Sequence, residues 1–147
     1  MKIFNKNVFR NFKILERIEA GISLLGAEIK SIRQGRVDLS ESFVRIKNNE
    51  AWLFNTYIHP YKGSESLGID PRRARKLLLH KSQIFSLKGK VSQKSLTIVP
   101  VMLYTKHNLA KLEVGLARAK KKFEKKEAKK RRDLEREVER ELRNKYQ

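Results

Sequence analysis

The groups in this chain with the most chemistry to offer are cations set in runs. Arg72, Arg73, Arg75 and Lys76 place four positive charges in five residues, just before Leu77-Leu78-Leu79. From Arg118 to Arg132 ten Lys/Arg stand against two Glu, and from Asp133 to Gln147 the balance becomes four basic against five acidic. Guanidinium forks grip phosphate oxygens in pairs and ammonium groups add point charges, so the chemistry on offer is recognition of a polyanion. The bland reading of Arg72–Lys76 is a solvated turn leading into a core strand. Because such cations repel one another without a partner, a phosphate-gripping patch is preferred.

Other reactive types are sparse. Glu19 stands in a cationic neighbourhood, where it either balances a nearby Lys or Arg or accepts hydrogen bonds from base edges and ribose hydroxyls. Lys111 has a similar choice between strand-face solubility and phosphate contact. His59, His80 and His107 share no ligand spacing and read as surface or packing residues, so no metal is expected. No carboxylate pair suits acid–base work, and no phosphate loop or dinucleotide fingerprint occurs. The chain reads as a binding protein without cofactor, not an enzyme.

Composition supports that reading. The 147 residues carry a formal net charge of +19, from 35 Lys+Arg and 16 Asp+Glu. Residues 1–117 alone hold 21 basic and 9 acidic side chains, so the excess extends beyond the tail. Such a surface releases counterions on meeting phosphate and binds in a salt-sensitive way. With no cysteine, disulfides and thiolate zinc sites are excluded. No window approaches the ~20 apolar residues of a membrane helix and the N-terminus lacks a secretory signal, so a cytoplasmic protein is expected.

These groups must be positioned by elements the pattern foretells. Residues 1–11 read as a polar, basic arm. Phe12, Ile14 and Ile18 alternate as in a strand, with Ala20-Gly21 read as a turn before Ile22–Leu25. The spacing of Ile29 and Ile32, with Gly35 as a stop, predicts a two-turn helix in GAEIKSIRQG. SFVRI and EAWLF flank Asn48-Asn49 as a hairpin. Residues 59–70 read as a long loop, and a short helix follows from Lys81 to about Gly89. SLTIVPVMLY is a β run whose Pro100 argues for an edge or a bulge. Lys106-His107-Asn108 turns the chain into Leu109–Leu116, with Leu112, Val114 and Leu116 on one face. The pattern predicts a mainly β fold with small helices, a compact antiparallel barrel or sandwich, of which an OB-like barrel is one that suits oligonucleotides.

Residues 118–147 are too polar to bury a core, so a tail mobile when free and helical on binding is expected. Leu134, Val138, Leu142 and Tyr146 fall four apart as one narrow apolar stripe. A lone charged helix or weak coiled coil is the plain account. A helix that forms as the stripe and cations meet RNA is preferred.

The ordered segments NKNVFRNFKILERIEAGI, GAEIKSIRQGRVDL, EAWLFN, DPRRARKLLLHK, SLTIVPVMLY and KLEVGLARAKK, followed by the charged tail, resemble the small protein B family of SsrA-binding proteins, which bind transfer-messenger RNA. The resemblance spans nearly the whole chain. It implies a six-stranded antiparallel OB-like barrel with appended helices, over residues 1–117. It also implies a role in trans-translation, with transfer-messenger RNA and the small-subunit decoding centre of the ribosome as partners. The barrel would hold the transfer-RNA-like domain, and the tail would enter the vacant mRNA path.

By motif match the resemblance points to Glu19 in EAG, Leu78 in KLLLH and Lys111 in KLEVG as residues needed for that RNA, alongside the Arg72–Lys76 patch. For the tail it points to Lys120, Lys121, Phe123, Lys125 and Lys126, with Phe123 offering an aromatic face for stacking. Ala119 stands where the family commonly has Gly, favouring a continued helix. Lys126 replaces an Arg and forgoes its fork. Val8 and Asn11 replace Ala and Asp without expected harm. A monomer is expected when free. Rival readings are a general single-strand binder of OB or cold-shock type, which the few aromatics disfavour, and an RNA-cleaving enzyme.

Overall fold

The computed structural model describes residues 2–61 and 68–145, without the side chains of 94, 122–125, 128 and 142–145. Residues 62–67, half of the loop expected over 59–70, and Tyr146 lie outside the described residues. One large antiparallel sheet runs in the order β1-β8-β9-β2-β7-β5-β4, and a two-stranded sheet pairs β3 with β6. The strands of the two sheets are β1 (Lys2–Phe4), β2 (Phe12–Ile22), β3 (Val37–Asp38), β4 (Phe43–Lys47), β5 (Glu50–Phe54), β6 (Tyr57–Ile58), β7 (Arg75–Leu78), β8 (Thr97–Lys106) and β9 (Leu109–Ala119). Helices α1 (Lys6–Asn11), α2 (Gly26–Arg33), α3 (Lys81–Lys94) and α4 (Lys122–Lys145) complete the chain. The sheet curls so that β4 returns against β8, giving the barrel-like form, and α3 packs against β8 with Ile84 and Leu87 buried.

Strand alternation places the core. Ala20, Leu53, Leu77, Leu103, Leu112 and Val114 point inward and are buried, with Ile32 of α2 among them. Each fully buried large aliphatic side chain contributes roughly 1.5–3 kcal/mol. Two hairpins set the register. Asn48 and Asn49 take φ of 50° and 60°, and His107 and Asn108 take 51° and 63°, the left-handed pairs that match strand twist. α2 begins where the Glu28 carboxylate accepts the Leu25 N–H at 3.0 Å and ends before Gly35, whose φ is 72°.

Several expectations are corrected. The arm over residues 1–11 is built into the body. Lys2, Ile3 and Phe4 pair with β8, and Val8 of α1 packs on Val99, Val101 and Ala117. Of the two alternatives for Pro100, the bulge holds: it lies on an inner strand at a register shift between Pro100 and Met102. The carbonyl of Pro100 accepts the Asn5 side-chain amide at 3.0 Å and that of Val101 accepts the Asn5 N–H at 2.9 Å, which anchors β1 and α1 at the bulge. β2 runs through Ala20-Gly21 without turning. α3 continues to Lys94. The six strands β8-β9-β2-β7-β5-β4 make the antiparallel barrel-like sheet that the resemblance implied, and β1 adds a seventh at its edge. Ala119 ends β9 opposite Phe12 instead of extending the tail helix.

Candidate nucleic-acid interface

The outer face of the large sheet brings distant residues into one row. Lys2 pairs with Tyr104, Tyr104 with Lys111, Lys111 with Gly21, and Gly21 with Leu78. The inward neighbours Leu103, Leu112, Ala20 and Leu77 are buried, so alternation turns the row outward. Glu19 lies two residues from Gly21 on the same face. Glu19, Leu78 and Lys111, separated widely in sequence, therefore share one patch across β9, β2 and β7.

Gly21 explains how Leu78 reaches that patch. A Cβ at Gly21 would lie 3.1 Å from the Leu78 Cβ, so the missing side chain leaves room for the leucine. Leu78 is 55% exposed, a costly position for an aliphatic residue whose role is solely to fill the core. The row thus offers a cation, a flat gap and a raised apolar edge, a relief suited to a shaped ligand.

Electrostatics fix the carboxylate. The Tyr104 hydroxyl donates a short hydrogen bond to Glu19, and this donor, with Lys106 and Lys111 close by, holds the Glu19 carboxyl below its ordinary range. Burial, then the Glu19 carboxylate, pushes the Tyr104 phenol above its ordinary range. Glu19 is thus a pinned anion amid cations. Its oxygens retain lone pairs for amino or ribose hydroxyl donors, which no Lys or Arg can accept.

The Arg72–Lys76 run divides. Arg75 is completely enclosed, with Nη2 and Nε 2.5 and 2.8 Å from the Glu28 carboxylate and Nη1 donating to the Thr56 carbonyl at 2.6 Å. It cannot meet phosphate, a correction to the patch reading. Its own strand β7 turns it into the barrel end, where Glu28 neutralises it. Arg73 shares Glu28 at 2.5 Å. Burial works to raise the Glu28 carboxyl and to lower the Arg75 guanidinium. For Glu28 the Leu25 N–H and both arginines prevail and hold it below its usual range. Arg72 lies outside, over the Tyr57 ring at 5.2 Å and bonded to the Asn55 carbonyl, while Lys76 stands 3.6 Å from Glu50. Two members of the run, Arg72 and Lys76, remain at the surface as candidates.

The tail residues also separate. Lys120 is tied to the body: its N–H donates to the Asn11 carbonyl at 2.8 Å and its ammonium to the Phe9 carbonyl at 3.0 Å. Lys121 is exposed. Lys126 lines an open groove of about 490 Å³ with Arg10, Asn11, Lys129 and Arg136. The side chains of Phe123 and Lys125 lie outside the described residues, as does that of Leu142 in the stripe. Leu134 and Val138 are 64% and 51% exposed.

Reading the sequence missed Gly21, Tyr104 and Glu28. Gly21 sits in a segment that reads as a turn. Tyr104 closes a β run with no local sign of its partner. Glu28 is masked by an ordinary helical pattern. Among the described residues no helix is long and apolar enough to cross a membrane, and no cluster of three or more His, Asp or Glu could hold a metal ion.

The model of the family described as SmpB protein matches residues 2–144. The SsrA-binding protein of Sulfurihydrogenibium sp. (strain YO3AOP1) is 54% identical over 121 residues, covering 82% of this chain and 80% of its own length. That of Persephonella marina (strain DSM 14350 / EX-H1) is 53% identical with the same coverage of 82% and 80%. A solved structure described as "tmRNA-SmpB: a journey to the center of the bacterial ribosome" superposes with a TM-score of 0.69 at 47% identity, over 82% of this chain and 85% of the other.

Proposed function

We infer the function from one premise: the chain belongs to the SmpB protein family. It is a transfer-messenger RNA-binding factor of trans-translation, the rescue of stalled bacterial ribosomes, and its partners are that RNA and the ribosome. The outer sheet face takes the transfer-RNA-like domain, with Lys111 on phosphate, Glu19 on amino or hydroxyl donors and Leu78 as an apolar edge. Arg72 and Lys76 supply outlying phosphate contacts. The tail, mobile until the ribosome holds it, carries Lys121, Phe123, Lys125 and Lys126 into the vacant mRNA path and decoding centre, with Lys120 fixing its root. The protein acts in the cytoplasm by binding alone, without turnover.

The observation that carries this reading is the meeting of Glu19, Lys111 and Leu78 on one face of three adjacent strands. Its test separates the two parts. Glu19→Lys with Lys111→Glu abolishes binding of the isolated transfer-RNA-like domain. Lys121→Glu with Lys126→Glu leaves that affinity nearly unchanged and abolishes tagging of stalled peptides. Loss of both activities in both variants would refute the division.

A further inference from the structure

The outward face of the β4–β5 hairpin is laid out as alternating rings and cations. Phe43 faces Phe54, Arg45 faces Trp52, and Lys76 of β7 faces Trp52 from the other side. The inward residues Val44, Ala51 and Leu53 are buried, which leaves this set on the outside with Lys47. The two phenyl rings stack at 5.4 Å between centroids. Arg45 sits 4.9 Å above the Phe43 ring and Lys47 4.9 Å above that of Phe54.

Cross-strand ring pairing accounts for Phe43 and Phe54 as supports of the hairpin. It does not account for the cations. Lys76 has Glu50 at 3.6 Å, but among the described residues no carboxylate lies within ion-pair distance of Arg45 or Lys47. Glu50 lies on the same face, paired in register with Lys47, so three cations stand against one carboxylate. Cations laid over rings in excess of counter-charge form a surface complementary to nucleotides. Bases stack on the π faces and phosphates meet the cations. The face is also continuous with the row described above. β7 carries Leu78 at that row and Lys76 at the hairpin, on the same side of the sheet.

We propose that the outer face of the β4–β5 hairpin is a second RNA site, a stacking platform for unpaired nucleotides that extends beyond the Glu19–Lys111–Leu78 patch. Phe43 and Trp52 receive bases; Arg45, Lys47 and Lys76 meet the intervening phosphates. The platform rests on the reading of the neighbouring sheet face as RNA-binding. It also gives the RNA a reason to run onward across the barrel once its folded part has docked.

Trp52 is the single tryptophan of the chain, so its emission reports on this face directly. Full-length protein is titrated with a blunt RNA hairpin and with the same hairpin carrying about six unpaired nucleotides. The extension is expected to quench Trp52, to tighten binding about tenfold, and to steepen the log–log salt dependence by about 2.1 for three added phosphate contacts. Arg45→Ala with Lys47→Ala removes about two thirds of the salt increment, leaving the share of Lys76. Phe43→Leu keeps an apolar partner for Phe54 yet removes most of the affinity gain. In both variants an unaltered thermal midpoint and unaltered affinity for the blunt hairpin report an intact fold and an intact neighbouring patch. The platform is overturned if the extension neither quenches nor tightens, or if the variants weaken both RNAs equally. A parallel titration with the transfer-RNA-like domain keeps the two readings apart. Failure of that RNA to bind the unmutated protein removes the proposed function. Its binding without any gain from the extension removes only the platform.

Discussion

The sheet face around Glu19 and the helix α4 are both RNA-directed surfaces in the reading above, yet they are built in opposite ways. On the sheet each group is placed by several others. Lys111 is registered against Tyr104 and Gly21, Glu19 is held by the Tyr104 hydroxyl, and Leu78 rests over a glycine. In α4 the arrangement is local: a helix of 24 residues whose described apolar side chains Leu134 and Val138 face outward. A preorganised surface spends little entropy on binding and can discriminate shape. A charged helix with little packing beyond its contact with α1 binds by electrostatics and takes its final position from its surroundings.

The largest effect that would sharpen this contrast is at Arg75. Arg75→Met leaves Glu28 enclosed with its main partner gone, and breaking a buried pair costs about 3–5 kcal/mol. Urea unfolding should show that loss in the body, while helical content assigned to α4 by peptide-level hydrogen exchange stays unchanged. Equal loss in both regions would make the contrast false.

Next comes Gly21→Val, which drives a side chain into Leu78. Overpacking of this kind costs roughly 1–3 kcal/mol, and Leu78 must move from its place on the face. Affinity for the transfer-RNA-like domain is expected to drop more than thermal stability does. A variant that is destabilised but binds normally would show that the relief at Gly21 has no part in recognition.

A smaller effect is expected with acid. Glu28 is held below its ordinary range when folded, so the unfolded chain takes up its proton first. The stability it contributes is complete above the unfolded carboxylate value of about 4.3 and is lost as pH falls through the lower, folded value. Urea midpoints measured from neutral pH downward should fall across that window, and less steeply in Glu28→Gln. An identical pH profile in that variant would assign the acid lability to other carboxylates.

The smallest effect is expected in the tail. Leu134→Ala and Val138→Ala each change the unfolding free energy of the body by less than about 0.5 kcal/mol, as exposed positions do. A larger loss in calorimetry would mean that the stripe packs on the body in solution.

What the sequence made legible was local. Asn48-Asn49 and His107-Asn108 declare their hairpins through backbone tolerance, Gly35 marks a helix end, and Leu112, Val114 and Leu116 declare an inward face by alternation. What it hid was non-local. A run of four cations gives no sign that its third member turns inward to a carboxylate 47 residues away. Gly21 imitates a turn because its purpose depends on Leu78, which arrives from another strand. The first residues look like a free arm because their partners lie about a hundred positions downstream, where Lys2 meets Tyr104 and Asn5 meets Pro100. Of the candidate surface, the trio and the exposed Arg72 and Lys76 were within reach of motif and charge. The Tyr104 anchor of Glu19 was not.

The clamp at Lys120 has a mechanical consequence. With its backbone and ammonium both fastened to α1, the root of α4 is a pivot carried by the barrel. A rod of 24 residues extends ~36 Å from that pivot. A slight rocking of the barrel then sweeps the far tip through a much wider arc, so the joint turns small rotations of the body into long excursions of the helix end.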